Sequence, residues 1–220
     1  MTTRSLSLAL LVAFAILVFF GYSANRKLPE LKPTPAMLGE VRTERTSRSP
    51  KRFPAVSEMV LAGVRQPQRW STIVIHHSGT VSGSAGAFDR YHRQMGDANG
   101  IKYHFVIGNG QGMPDGSIEA TDRWRRQIDA AHLYLPQNAP ESIAICLVGN
   151  FQESKPTEQQ SVSTVKLCYV LMQRFDIPAE RVFAHREVDV NKTVCPGQRF
   201  SIDVLREALL VLSRQDAHTN

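Results

Sequence analysis

The sequence lacks the short motifs that tie metal ligands together locally. Its 220 residues contain three cysteines and seven histidines, and none of them are spaced as HExxH or CxxC. A metal site in this chain must therefore be assembled from distant residues by the fold. Internal repeats are also absent from the sequence, which excludes a solenoid architecture. No cluster of lysine and arginine is interleaved with aromatic residues, so we expect no nucleic-acid partner.

The composition fits one globular domain with a basic extension. Hydrophobic residues make up 42% of the chain, which is enough for one sizeable core. The formal net charge is +6, so the surface suits an anionic polymer. Charge alone does not distinguish cell-wall carboxylates from acidic lipid or nucleic acid. Much of the positive excess lies in residues 26–52, where a solvated linker explains it equally well.

One long apolar segment lies near the N-terminus. Residues 5–22 carry no charged side chain, and a segment of this length is just able to span a bilayer as a helix. The same residues also fit the apolar core of a signal peptide, with Gly21 and Ser23 as the small residues before a cleavage site. The sequence therefore leaves a membrane anchor and a cleaved signal as alternatives for residues 1–24.

Residues 25–68 are predicted to form a linker. Six prolines interrupt them among basic, serine and threonine residues, and such a segment buries too little apolar surface to offset its ordering entropy. A short helix near residues 55–64 is the exception, and it is expected to pack on the domain. The globular domain is assigned to residues 69–215 and a short tail to residues 216–220.

Apolar periodicity predicts alternating strands and helices in the domain. The strand-like runs are residues 71–76, 102–107, 143–148 and 181–184, with a short pair near residues 116–119. The run at 143–148 is almost wholly apolar, as expected of a central strand that is covered on both faces. We therefore predict an α/β fold in which helices flank a central mixed sheet.

Three helices are predicted in the same domain. The first covers residues 85–95, and its apolar face is expected to comprise Phe88, Tyr91, His92 and Met95. The second begins with a capping box in which Thr157 is the N-cap and Gln160 follows three residues later. Its apolar face is Val162, Val165, Tyr169, Met172 and Phe175. The third starts near residue 201 and carries Ile202, Leu205, Leu209 and Leu212 on one face.

Two of the strand-like runs end in residues that bind metals well. His76 ends the first run and His185 follows the last one, and Cys195 comes ten residues after His185 on a predicted loop. Two imidazoles and one thiolate leave the fourth tetrahedral position free for water, as in catalytic zinc sites. Neighbouring residues of a strand point to opposite faces, so only one of His76 and His77 can reach the metal.

Four segments in this order resemble the zinc-dependent N-acetylmuramoyl-L-alanine amidases, the family that includes phage lysozyme-type amidases and peptidoglycan recognition proteins. They are IVIHHSGT (73–80), GIKYHFVIGNGQG (100–112), SIAICLVGNF (142–151) and AHREVDVNKTVCPG (184–197). The resemblance implies the α/β fold of this family and a single zinc ion held by His76, His185 and Cys195. It also implies cleavage of the amide between N-acetylmuramic acid and L-alanine in peptidoglycan.

The resemblance further implies roles for three residues around the metal. Tyr103 matches the family's catalytic tyrosine, whose phenol can orient water or hydrogen-bond the developing oxyanion. Thr193 matches a position that holds lysine or threonine in active relatives. Lys192 is adjacent, so the sequence leaves open which of Thr193 and Lys192 faces the site. Without the resemblance, Tyr103 would be interpreted as a core tyrosine and Lys192 as a surface lysine.

Two further positions concern the group that transfers protons. Cys146 stands at the position where recycling amidases of the family carry a glutamate base. The phage branch also has cysteine at this position. His132 matches a histidine that lines the cleft and is a candidate for substrate binding or proton transfer, with a surface loop histidine as the alternative. Glu119, Trp124 and Arg125 are candidates for a wall of the groove.

The cysteines allow two further interpretations. Cys195 can be a thiol nucleophile with His185 as its base, although this leaves His76 unexplained. Cys146 and Cys168 can form a disulfide in an exported protein, and two buried thiols are the alternative that we prefer.

The preferred function is a zinc amidase of the cell envelope, acting on peptidoglycan or muramoyl-peptide fragments. It would be anchored in the inner membrane with a periplasmic or extracytoplasmic domain, or secreted if the N-terminal segment is cleaved. We expect a monomer. The alternatives are a non-catalytic peptidoglycan-binding or sensing module of the same fold, and a zinc hydrolase that acts on another amide.

Overall fold

The structure, a computed structural model, describes residues 52–64, 67, 69–130 and 141–217. A five-stranded mixed sheet in the order β3-β2-β4-β1-β5 forms its centre. Its strands are β1 (Thr72–His77), β2 (Phe105–Ile107), β3 (Ile118–Ala120), β4 (Ser142–Leu147) and β5 (Val182–Ala184). All neighbouring strands pair in parallel except β2 and β3, which are antiparallel. The predicted α/β fold with a central mixed sheet is confirmed.

Six α-helices surround the sheet in the described part of the chain. They are α1 (Pro54–Leu61), α2 (Ala85–Gln94), α3 (Asp122–Arg125), α4 (Glu158–Phe175), α5 (His185–Val188) and α6 (Ile202–Ala217). Thr157 and Gln160 form the predicted capping box of α4. The four leucine and isoleucine residues predicted for one face of α6 are all buried. The start of α4 and the buried face of α6 therefore follow from local sequence patterns.

The apolar face predicted for α4 is correct only in part. Tyr169 and Met172 are buried, but Val162, Val165 and Phe175 are only partly buried, because the buried side of the helix is centred on Leu167, Cys168 and Leu171.

The sheet divides the buried side chains into two clusters. Alternate residues of β1 and β4, such as Ile73 and Ile145, join the larger cluster under α1, α4 and α6. The other residues of β4 face a smaller cluster that includes Tyr103 and Cys146. Because side chains alternate along a strand, His76 projects to the side opposite Ile75. The smaller cluster therefore forms the floor beneath the candidate site.

The face of α2 differs from the prediction. His92 is buried, but Tyr91 is 57% exposed and Met95 is 67% exposed. The helix is short and covers only the smaller cluster, to which it contributes Ala85 and the half-buried Phe88. Periodicity identified the helix correctly, whereas the width of its buried face depends on how much of the sheet lies beneath it.

Strand β2 is shorter than the run at residues 102–107 predicted. The reason is His104, which is fully buried and takes over part of the strand pairing. Its Nδ1 accepts a hydrogen bond from the Ala144 N–H at 2.9 Å, and its Nε2 donates to the Ile128 carbonyl at 2.7 Å. Burial lowers the pKa of His104 to about 3, so the ring is neutral. The imidazole Nδ1 of His104 thus replaces a backbone carbonyl of the neighbouring strand as the acceptor for the Ala144 N–H.

Burial overturns the proposal that Trp124 lines a groove. Its side chain is 0% exposed and lies within the larger core cluster, where its Nε1 donates to the Val60 carbonyl at 2.8 Å. This bond and the burial of Val60 fasten α1 to the domain, as expected for the short helix near residues 55–64. Glu119 and Arg125 are exposed.

Cys146 and Cys168 are both buried free thiols, as preferred from the sequence. They belong to different core clusters on opposite sides of the sheet, so the fold keeps them apart. Within the described residues, no helix combines the length and apolar character needed to cross a membrane. The apolar segment at residues 5–22, most of the predicted linker and His132 lie outside those residues.

Candidate metal centre and active site

Parallel strand pairing brings the two candidate histidines together. Ile75 of β1 pairs with Ala184 of β5, so the residues that follow them, His76 and His185, lie side by side at the carboxyl ends of the strands. Their ring centroids are 4.3 Å apart. Both side chains are buried, with 1% and 8% of their surfaces exposed. The sheet thus fixes two imidazoles at one edge.

The loop after α5 carries Cys195 to the same edge. The Arg186 N–H donates to the Cys195 carbonyl at 2.7 Å, and the Arg186 guanidinium donates to the carbonyls of Gly197 and Phe200 at 3.0 and 3.1 Å. Gly197 has φ +104°, and a Cβ there would lie 2.3 Å from the carbonyl carbon of Phe151. Only glycine therefore allows this close approach of the two loops.

These three residues form a compact group of candidate metal ligands. One ligand atom from each of His76, His185 and Cys195 lies within 4.8 Å of the other two. The Sγ of Cys195 is 3.9 Å from His76 Nδ1. Ligand atoms of a tetrahedral zinc lie about 3.6 Å apart at ordinary Zn–S and Zn–N bond lengths. The donor types and their spacing therefore fit zinc.

The sulfur of Cys195 is buried, accepts a hydrogen bond and lies near a positive charge. The His77 N–H donates to Sγ at 3.4 Å. Burial raises the pKa of Cys195 to about 12, while this N–H and the positive charge of Arg186 act in the opposite direction. A thiol with this pKa is mostly protonated at neutral pH, which does not suit an unassisted nucleophile. A metal ion would displace the proton on binding.

His77 points away from this set, as the strand alternation predicted. Its Nδ1 accepts a hydrogen bond from the Phe151 N–H at 3.1 Å, and its ring lies 5.9 Å from that of Phe151. Burial and the nearby His185 lower the pKa of His77. A neutral ring that accepts a backbone hydrogen bond holds the loop after β4 in place.

Tyr103 lies beside these candidate ligands on the floor of the site. Its ring centroid is 5.3 Å from that of His76, and the side chain is 9% exposed. Burial first, and then the neighbouring Cys146 and Cys195, raise the pKa of Tyr103 well above its usual value. The phenol therefore keeps its proton and can donate a hydrogen bond. Cys146 is fully buried and its thiol pKa is also raised by burial, so it is not a general base.

The structure distinguishes the two candidates that precede Cys195. The Thr193 Oγ1 accepts a hydrogen bond from the Cys195 N–H at 3.2 Å, so its side chain turns back toward the ligand loop. Lys192 is exposed and has φ +59°. Thr193 is thus the candidate that sits next to Cys195, while His132 lies outside the described residues.

Comparison with known proteins decides the family. A family model described as N-acetylmuramoyl-L-alanine amidase matches residues 66–198, which is more than half of the chain. The chain belongs to the N-acetylmuramoyl-L-alanine amidase family. It is an enzyme of this class, a hydrolase of the bacterial cell wall. No curated protein matches the sequence.

Solved structures agree with this assignment. The endolysin amidase LysCS from Clostridium intestinale is 29% identical over 64% of this amidase and 84% of its own chain, with a TM-score of 0.53. LysC from the same organism has the same identity and TM-score and is covered over 86% of its chain. Bumblebee PGRP-SA is 22% identical over 62% of this amidase and 80% of its own chain, with a TM-score of 0.50. This last similarity concerns the fold alone.

Sequence reasoning left two residues near the site without a role. His92 of α2 is buried, and its ring meets that of Tyr103 edge-on at 5.7 Å. The side chain of Asp189, at the end of α5, approaches His185. For His92, the helical spacing from Phe88 was a usable signal of burial. For Asp189, the only sequence signal of its contact with His185 was the spacing of four residues, which places two side chains on the same face of a helix.

Proposed function

We propose that this amidase cleaves the bond between N-acetylmuramic acid and L-alanine with a zinc ion held by His76, His185 and Cys195. The observation that carries the proposal is the convergence of three buried ligand atoms within 4.8 Å of one another. Membership of the amidase family supports the substrate. The two endolysin amidases from Clostridium intestinale support it further.

The ligand set favours catalysis over a purely structural metal site. Three protein ligands leave one tetrahedral position open, whereas structural zinc sites are closed by four. When bound there, zinc would polarise the scissile carbonyl and activate a water molecule for attack. The parallel strands β1 and β5 supply two of the ligands, so the rigid sheet sets their spacing.

Tyr103 would donate a hydrogen bond to the oxygen that becomes negative as the amide is attacked. The raised pKa keeps the phenol protonated at neutral pH, so it serves as a donor and not as an anionic base. Its burial in the smaller core cluster holds the hydroxyl in one place. The present partner of the hydroxyl is the Cys146 side chain. Because sulfur is a weak acceptor, the phenol would gain a stronger hydrogen bond when it turns to the developing oxyanion.

Thr193 would supply a second hydroxyl. Its oxygen accepts the Cys195 N–H, which leaves the hydroxyl proton available for the substrate oxygen. Proton transfer to the leaving amine needs a further group, for which His132 is our candidate. Lys192 is a weaker candidate because its side chain is exposed.

The place of action follows from the substrate and the N-terminal sequence. Peptidoglycan lies outside the cytoplasmic membrane, and residues 5–22 form an uncharged apolar run that suits a membrane anchor or a signal peptide. We propose an envelope enzyme, anchored in the inner membrane or secreted, that acts as a monomer.

The test is cleavage of a defined muramoyl-peptide by the full-length protein, followed by mass spectrometry. Zinc content is measured in parallel, before and after treatment with a chelator. We expect one zinc per chain and separate sugar and peptide products. Cleavage should stop on chelation and return with added zinc.

A matched pair of variants connects the activity to the ligand set. Cys195→Ala should abolish zinc binding and cleavage, while Cys168→Ala makes the same change in the core and should keep both. A protein that binds muramoyl-peptides with zinc but never cleaves them would support the sensing module. Cleavage of other amides alone would support the broader zinc hydrolase. Absence of zinc binding in the unmodified protein would refute the metal assignment.

A further inference from the structure

Asp189 is a buried carboxylate beside a proposed metal ligand, and the proposed mechanism gives it no task. Its Oδ2 lies 3.8 Å from His185 Nε2, and only 6% of the Asp189 side chain is exposed. This distance is too long for a hydrogen bond. It is short enough for the carboxylate charge to act on the polar edge of the imidazole ring, because the two side chains are largely removed from water.

A hydrogen bond from the local backbone accounts for the position of only one of the two carboxylate oxygens. Asp189 follows α5 as its C-cap, and its Oδ1 accepts a hydrogen bond from the Asn191 N–H at 2.9 Å. An asparagine could form this turn equally well, because its amide oxygen accepts the same bond. The turn therefore requires an acceptor but no negative charge. The charged Oδ2 on the side of His185 remains to be explained.

We propose that Asp189 is a positioning residue that orients the His185 imidazole and strengthens its hold on a metal ion. This inference rests on the proposed function. Histidines that ligate metals commonly direct their other ring nitrogen toward a carboxylate, which fixes the ring and makes the ligand nitrogen more basic. Asp189 is fixed by α5 on one side and by the turn to Asn191 on the other, so it can hold the ring at a constant angle.

One effect of Asp189 opposes metal binding. Its negative charge raises the pKa of Cys195, although it is the smallest of the causes acting on that thiol. The charge of Arg186 acts in the opposite direction on the same group. A divalent cation bound between His185 and Cys195 would itself be attracted to the carboxylate. We therefore expect the net effect of Asp189 to favour the metal.

The test compares Asp189→Asn with Asp203→Asn in the full-length protein. Both variants lose one negative charge. The side chain of Asp203 is 85% exposed on α6 and belongs to a surface ion pair with Arg206, so it serves as the matched control. The zinc dissociation constant is measured by competition with a chromophoric chelator at one fixed pH. The melting temperature of each metal-free protein is recorded as well.

We expect Asp189→Asn to weaken zinc binding about tenfold to a hundredfold, with the metal-free melting temperature unchanged. Asp203→Asn should bind zinc as the unmodified protein does. The visible spectrum of the cobalt-loaded Asp189→Asn protein should keep the band intensity of the unmodified protein, with at most shifted bands, because Asp189 acts through His185 and the number of ligands stays the same.

Three results would overturn the inference. Equal zinc affinity in Asp189→Asn would remove the role of the carboxylate and leave the proposed function intact. A change in the intensity of the cobalt bands that signals the loss of one ligand would make Asp189 a direct ligand instead of a positioning residue. Failure of the unmodified protein to bind zinc would refute this inference and the metal assignment together.

Discussion

Replacing Tyr103 by phenylalanine removes one hydroxyl group and leaves the packing of the ring unchanged. The ring lies 5.3 Å from His76 and 5.7 Å from His92 between centroids, and phenylalanine can keep both contacts. The lost group is a buried hydroxyl that hydrogen-bonds Cys146. One such bond contributes about 1 kcal/mol to stability, so the variant should fold normally.

The effect on catalysis should be much larger than the effect on stability. A preorganised donor to an oxyanion contributes about 10²- to 10³-fold to kcat, or roughly 2.7–4 kcal/mol. We expect Tyr103→Phe to lose activity by this amount with little change in KM, because the bond would strengthen only in the transition state. Zinc affinity should not change, since the hydroxyl is not a metal ligand.

Tyr91→Phe is the matched control for this experiment. Tyr91 lies on α2 with 57% of its surface exposed, so losing its hydroxyl should change stability by less than about 0.5 kcal/mol. Steady-state cleavage of a muramoyl-peptide gives kcat and KM, and chelator competition gives the zinc affinity. If Tyr103→Phe kept kcat within about threefold, a difference below roughly 1 kcal/mol, Tyr103 would have no role as an oxyanion donor.

Three other predictions concern the scaffold. The folded protein holds His104 neutral to about pH 3, whereas the unfolded chain protonates it near pH 6.5. The unfolded state therefore binds more protons in this window, and stability should fall as the pH falls from 6.5 to 3, by roughly 5 kcal/mol in total. Urea unfolding at several pH values measures this slope, and His104→Gln should flatten it. Gly197→Ala should destabilise the protein by several kcal/mol more than Gly96→Ala, because both glycines have positive φ but only the Cβ at 197 meets backbone. Thermal melts of the two variants test this, and equal shifts would contradict it. Cys146 and Cys168 lie on opposite sides of the sheet, so alkylation after oxidative purification and unfolding should label both thiols.

Local patterns in the sequence were enough to predict the helices that have a capping box or a regular apolar face. The capping box at Thr157 needs only the next three residues, and the buried face of α6 repeats at helical spacing. The same holds for the residue types of the metal set, since two imidazoles and a thiolate suit zinc wherever they meet. Strand alternation alone also separated the directions of His76 and His77.

Only the tertiary structure decided which residues of a predicted helix are buried in the core. Tyr91 and Met95 share the helical stripe of His92 but face solvent, because α2 packs only on the smaller cluster, to which it contributes Ala85 and Phe88. Trp124 lies in the core because α1 closes over it. Neither outcome depends on the neighbours of these residues in the sequence.

The assembly of the candidate metal site also depends on the tertiary structure. His76 and Cys195 are separated by 119 positions along the chain, and they meet because β1 pairs with β5 and Gly197 lets two loops approach closely. The orientation of Thr193 toward Cys195 and the contact of Asp189 with His185 depend on the same loop. A sequence specifies which side chains are present and their local periodicity. Their meeting in space requires long-range pairing, whose free energy comes from burial across the whole sheet.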